Sequence, residues 1–447
     1  MYRTKRQRLF AGVATATSAA LLLAACGSGN DTGNGGDADA GVSEDVLEEG
    51  GDITVWAWEP TLEDVVEDFQ DEYPNVKIDL VNAGTGDDQY TALQNAIAAG
   101  KGLPDVAQVE YYALSQFVLG EALADLTEFG AADFDGTFTP GPWDVVNQGD
   151  GVYALPMDSG PMALFYNKAV FDEHGVEVPE TWEEFEQAAR DLKDADSAIA
   201  ITNDAGDAGF TTSLIWQAGG RPFAAEGTDV TINLDDEGTN TFAEFWNTLI
   251  DDELVAPIAS WSDEWYQGLG DGTIATLVIG AWMRGNLESG VEAAHGDWAV
   301  APMPQWVEGE QVTAENGGSS LAIPADAENA ELAYAFLEYA TAGEGAKTRI
   351  EGGSFPATTA DLEADEFTET EFDYFGGQKV NEVLAESATQ VAEGWQYLPY
   401  QVYANSIFND TVGKAYVSDA TLEEGLALWQ EELVQYGSQQ GFDVSEN

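Results

Sequence analysis

ITVWAWEPTLEDVVEDFQDEYPNVKIDL, residues 53–80, reads as a strand, a helix and a second strand in direct succession. The apolar, β-branched run at residues 53–58 has the character of a buried strand. Leu62, Val65, Val66, Phe69 and Tyr73 then recur at i, i+3, i+4, i+7 and i+11. That spacing is one face of an amphipathic helix over residues 61–73, which Pro74 stops. Val76, Ile78 and Leu80 alternate with polar residues, the period of the next strand. The same cadence continues with a helix over residues 90–99 and a strand over residues 105–109. Strands alternating with helices predict an α/β fold built on a mostly parallel sheet covered on both faces.

Further along, Thr181 and Glu184, and again Thr421 and Glu424, have the spacing of capping boxes. Trp182, Phe185, Ala189 and Leu192 share one face of the first helix so opened, and Leu422, Leu426, Trp429 and Leu433 one face of the second. These positions are core and caps, with no chemistry attached.

Before residue 53 the chain has another character. Arg3, Lys5, Arg6 and Arg8 precede an uncharged, largely apolar stretch over residues 9–25, and Leu23-Ala24-Ala25-Cys26 closes it with the only cysteine of 447 residues. This is a secretory signal peptide over residues 1–25, too rich in Ala, Thr and Gly to span a bilayer. The closing tetrad resembles the lipobox of bacterial lipoproteins, which implies lipid attachment at Cys26 and a place on the outer face of the cytoplasmic membrane. Residues 26–50, rich in Gly, Asp, Asn and Ser, read as a flexible tether.

The 422 residues from Cys26 onward suit two domains better than one. They carry 82 acidic side chains against 11 basic ones, which excludes nucleic acid as a partner because nothing neutralises phosphates. Such acidity gives solubility and repulsion between neighbours; a cationic ligand is the sharper reading. One cysteine permits no disulfide, so packing alone holds the extracellular core.

Much chemistry is missing. His174 and His295 stand apart among acidic residues and Gly, which gives no basis for a metal site or a Ser/His/Asp or Cys/His triad. No GxxxxGK[ST], no GxGxxG after a strand and no DxDxDG loop occurs, so neither a cofactor nor a calcium site is expected. Tryptophan is abundant, with 13 residues, several at segment ends: Trp58, Trp143 in a Pro/Gly-rich loop, Trp261, Trp265, Trp282 and Trp395. Each one packs in a core by default. Together with nearby Glu59, Glu110, Asp158 and Arg284 they suit a saccharide site, where flat C–H faces meet aromatic rings and hydroxyls meet polar side chains.

Several segments in order resemble the family 1 extracellular solute-binding proteins, the carbohydrate-capturing lipoproteins of ABC importers. They are GKGLPDVAQVE at 100–110, YALPMDSGPMALFYNKAVFDEHG at 153–175 followed by PETWEEFEQAARDL, ATLVIGAW at 275–282, NGGSSLAIP at 316–324 and LAYAFLEYATAGEGAKTRIEGGSFPA at 332–357. The resemblance spans residues 52–440 and implies two discontinuous α/β lobes of the type II periplasmic-binding kind, with a ligand cleft between them. Crossovers would fall near residues 158–162 and 317–321 and after Phe355, giving lobes of 51–158 plus 318–356 and 159–317 plus 357–447. It places Trp58 and Glu59 after the first strand toward ligand, Glu110 where the family often has Asp, Trp282 at a recurrent stacking position and Ser319 at the second crossover. Tyr111, Tyr112, Asp158, Trp216, Trp265, Arg284 and Trp395 complete the expected site.

The function so implied is non-catalytic: a lipid-anchored, monomeric receptor captures a neutral sugar, with the many Trp favouring an oligosaccharide, and hands it to permease subunits. A secreted glycoside hydrolase would also carry carboxylates beside Trp, although nothing singles out two of the 82 acids. A receptor for a cationic solute such as a polyamine would use the acidity but leaves the Trp unexplained.

Overall fold

A computed structural model describes residues 44–149, 151–203 and 206–446; the leader, Cys26 and residues 27–43 of the expected tether lie outside them. The described part begins with a short helix, α1 (Glu44–Glu49), which corrects the expectation of a tether through residue 50. Its Val46 and Leu47 pack on the first hydrophobic core, a contact its acidic composition conceals.

β1 (Gly51–Trp56) pairs in parallel with β2 (Val76–Val81), Ile53 opposite Ile78, across α2 (Leu62–Glu72). The next helix, α3 (Asp87–Ala99), starts three residues before its expected position and leads to β3 (Val106–Glu110), which pairs in parallel with the other side of β1. α4 (Tyr111–Leu119) follows β3 directly. Trp143, expected in a loop, lies instead in a helix, Pro140–Val146; Pro140 at its first position lacks only an amide that would be unpaired there. The Trp143 ring is buried and stacked on Phe138, centroids 5.9 Å apart.

The chain adds β4 (Leu155–Pro156) and crosses into a second sheet, in which β5 (Met162–Asn167) lies between β6 (Thr276–Gly280) and β7 (Trp298–Ala301), antiparallel to both. It then returns as β8 (Ser319–Ala322), which inserts between β3 and β4 and runs antiparallel to each, giving the order β2-β1-β3-β8-β4. The expectation of a mostly parallel sheet thus holds for β2, β1 and β3 alone. A strand re-entering from the opposite side must run the other way, and no local periodicity reveals its direction.

Three hydrophobic cores follow this path. One gathers residues from 53–157 and 321–357, a second residues from 162–314 and 395–433, and a third residues from 163–300 and 355–388. The first two crossings run side by side: the Asn316 N–H donates to Gly160 O at 2.8 Å and the Met157 N–H to Ser319 O at 2.9 Å. The third lies near residues 355–362, where Phe355 and Leu362 belong to the third core and Ala357 to the first. Both expected capping boxes form, at Thr181 and Thr421.

Candidate functional site

The C-terminal end of β3 and the elements around β6 enclose a cavity of about 280 Å³. Glu110 ends β3 and stands as the N-cap of α4, an extended residue whose side chain is free to turn away from the helix. Its carboxylate accepts from the Tyr90 hydroxyl at 2.8 Å, and Tyr90 meets Tyr112 edge-on with centroids 6.1 Å apart. Burial pushes the Glu110 carboxyl up to about 7, against the lowering effect of the Tyr90 and Tyr112 hydroxyls. The wall is therefore a carboxyl that exchanges its proton near neutrality, beside two phenols.

Opposite stand the indoles. Trp282 follows β6 through Gly280 and Ala281, and its N–H donates to Asn316 O at 2.7 Å. A Cβ at Gly280 would come within 2.4 Å of the Trp282 indole nitrogen and 2.5 Å of Asn316 O, so this turn requires glycine to seat the ring. The Trp265 N–H donates to Asn203 Oδ1 at 2.7 Å, while Asn203 Nδ2 donates to Ser260 Oγ at 2.9 Å. Trp261 bridges the two, its ring 4.9 Å from Trp265 and 5.6 Å from Trp282. Asp207, Phe210, Asn316 and Asn405 also line the cavity. Indoles with amides and carboxyls suit a ligand having flat apolar faces and a rim of hydroxyls. Among the described residues, no group of three or more His, Cys, Asp or Glu is placed to hold a metal ion.

Of the residues expected from the sequence, Glu110, Tyr112, Trp265 and Trp282 line this cavity. Trp58, Glu59, Tyr111, Asp158 and Ser319 lie beside it in a polar web at the crossovers. The Trp58 and Glu59 amides donate to Gln108 Oε1 at 3.0 and 3.1 Å, and Gln108 Nε2 donates to Ser319 Oγ at 3.1 Å. The Ser319 amide donates to Asp158 Oδ1 at 2.5 Å, and the Tyr111 hydroxyl to Asp158 O at 2.6 Å. Glu59 also approaches buried Arg349 at 3.8 Å. Burial raises the Asp158 carboxyl to about 6, with Arg349 and the Ser319 amide opposing. Glu315, unremarked in the sequence, accepts from Ser159 Oγ at 2.9 Å and the Gly160 N–H at 2.6 Å, binding the two crossovers together; burial raises it to about 7.

Three expected residues lie elsewhere. Trp216 is buried, its N–H donating to Ala392 O at 2.6 Å and its ring stacked on Trp395 at 5.1 Å and 7°. Trp395 borders a separate cavity of about 440 Å³ with Asp144, Gln148 and Tyr397. Arg284 is buried over the Phe372 ring at 4.5 Å, with Nη2 donating to Gly353 O at 3.0 Å. Several of their partners are distant in sequence, Ala392 and Trp395 from Trp216 and Gly353 and Phe372 from Arg284, although Glu288, four residues from Arg284, also approaches it at 3.5 Å. Asn203, Asp207, Phe210, Asn316 and Asn405 were not expected: they come singly from a strand end, a helix cap, two helices and a crossover, and no shared periodicity links them.

The model of the bacterial extracellular solute-binding protein family matches residues 57–347. An ABC transporter associated binding protein from B. animalis subsp. lactis, solved in complex with β-1,6-galactobiose, is 46% identical, with a TM-score of 0.80 over 88% of this chain and 99% of that one. The galacto-N-biose/lacto-N-biose I-binding protein of Bifidobacterium longum shares the fold at 24% identity, with a TM-score of 0.78 over 89% of this chain and 99% of its own. The arabinooligosaccharide-binding protein of Halalkalibacterium halodurans is 25% identical over 83% of this chain and 85% of its own. The fold is accordingly the type II periplasmic-binding architecture, two discontinuous α/β lobes with a ligand cleft between them. A family model covering well over half of the sequence, and a solved relative sharing nearly half of its residues, leave one assignment: this chain is a member of the bacterial extracellular solute-binding proteins.

Proposed function

We propose that the chain is the lipid-anchored receptor of an ABC importer, binding a neutral oligosaccharide of the β-linked galactoside class and delivering it, as a monomer and without chemical change, to permease subunits. The observation that carries this reading is a single cavity lined by Trp265 and Trp282, their indoles bonded to Asn203 and Asn316, together with Glu110 and Tyr112. The galactoside class is favoured by the relative of 46% identity that holds β-1,6-galactobiose. The lobes would comprise residues 51–158 plus 318–356 and residues 159–317 plus 357–447. Ligand would draw them together, because a saccharide touching both sides stabilises the closed form over the open one.

Intrinsic Trp fluorescence and thermal shift with β-1,6-galactobiose, lacto-N-biose, arabinooligosaccharides, maltotetraose and spermidine test the reading, with reducing ends assayed in parallel. Saturable binding of a galactoside without new reducing ends is the expected result. Turnover would make the protein a hydrolase, and a response to spermidine alone would make it a receptor for cations.

A further inference from the structure

Trp261 occupies a backbone position that tryptophan rarely takes. The Ser262 N–H donates to Ala259 O at 3.3 Å, closing a β-turn whose third residue is Trp261, with φ of +68°. A positive φ at that position is the mark of a type II turn, where Gly or Asn normally stands; for a bulky residue it is a genuine outlier. The other described non-glycine residues with positive φ, Glu121 and Glu253, directly follow the ends of helices, where left-handed residues are ordinary. Trp261 instead precedes the Ser262 N-cap of the helix Asp263–Asp271. A hydrophobic staple would account for an apolar residue there, packed on the fourth helical residue, Tyr266. The ring contacts are with Trp265 and with Trp282 of another turn, and 47% of the residue remains exposed. Strain held in a site wall together with an exposed indole is a pattern of function.

What the indole faces is a division of space. The cavity of about 280 Å³ adjoins a second of about 350 Å³, and Trp261 lines both, together with Asp207, Gly209, Ser260 and Asn405. The first takes Glu110 and Tyr112 from the first sheet's side, whereas the second is lined wholly by residues from 206–261 and 405–409, ending at Phe408 and Asn409. Space that continues past an exposed ring, edged by a carboxylate, a hydroxyl and two amides, offers the requirements of one saccharide unit a second time. Two chambers in series would seat a chain longer than a disaccharide.

We infer that Trp261 is a specificity-determining residue, the platform at the junction of two saccharide chambers, and that it selects oligosaccharides of three or more units over disaccharides. The inference rests on the saccharide reading above. Its test is the ratio of affinities for β-1,6-galactotriose and β-1,6-galactobiose, measured by titration calorimetry on wild type, Trp261→Ala and Trp261→Gly, with melting temperatures recorded. Wild type is expected to favour the triose at least tenfold, and both variants to bring the ratio to about one. Trp261→Gly should melt no lower than Trp261→Ala, since glycine adopts the positive φ freely. A wild-type ratio of one or less, or a preference that survives in folded variants, overturns the inference and leaves the saccharide reading intact. Failure of wild type to bind any saccharide overturns both.

Discussion

Trp282 and Glu315 show how much a single position carries. The Trp282 ring lies against the Trp261 face, and its N–H is fixed on Asn316 O, so the indole reaches the cavity wall already oriented. Losing a central Trp anchor typically costs about 2 kcal/mol or more of binding, roughly thirtyfold in affinity. Trp282→Ala is expected to weaken galactoside binding by at least that factor while the protein still unfolds cooperatively, and Trp282→Phe to recover part of the loss. Unaltered affinity in a folded Trp282→Ala protein would remove the residue from the site. Glu315 acts on stability. Its carboxyl, raised from the ordinary 4.5 to about 7, holds its proton more tightly folded than unfolded. Its ionisation costs nothing below about 4.5, an increasing amount between 4.5 and 7, and the full penalty above 7, up to about 3 kcal/mol. Stability should therefore fall as pH rises from 5 to 8. Glu315→Gln keeps an acceptor for the Gly160 N–H and should flatten that fall, which urea unfolding of both proteins across the range would measure. Equal slopes would mean that Glu315 is ionised at neutral pH.

The crossovers are the elements on which the site depends. Asn316 O lies against both Gly160 and Gly280, at 2.3 and 2.5 Å from where their Cβ atoms would stand, and accepts from Trp282. One carbonyl thus ties the first crossover, the second and the indole-bearing turn. Gly280→Ala would force them apart; overpacking of this kind costs about 1–3 kcal/mol. We expect a lower melting temperature and an affinity loss of at least about tenfold, read by Trp fluorescence titration, because the ring is displaced with the turn. Loss of stability without loss of affinity would contradict the coupling. Much of this was legible in the sequence. The strands β1 to β3, the helix between the first two and the capping boxes announce themselves through local pattern, and the segments containing PMALFYNK and GAW through their resemblance to the family. Three things were not legible: the reversed direction of β8, the helix α1 inside an acidic stretch, and the stacking of Trp216 on Trp395. Each is decided by a partner distant in sequence, and periodicity carries no information at that range.

At the scale of the whole molecule, acidity and architecture have separate consequences. A formal charge of −67 acts on solubility and on repulsion between neighbouring molecules, whereas the Glu110, Asp158 and Glu315 carboxyls near the cleft are partly protonated at neutral pH. Burial thus lessens the negative charge these three carboxyls carry relative to exposed ones, which suits a neutral ligand. If Cys26 carries the lipid, Cys26→Ala should release the protein from the membrane fraction or block its processing, with saccharide binding by the purified protein unchanged. A processed variant still sedimenting with membranes after a high-salt wash would refute the anchor. The proposed receptor function requires two lobes that close around a saccharide, and small-angle scattering with and without saturating β-1,6-galactobiose measures that closure. A smaller radius of gyration in the presence of the sugar is predicted; an unchanged radius at demonstrated saturation would contradict a hinged receptor.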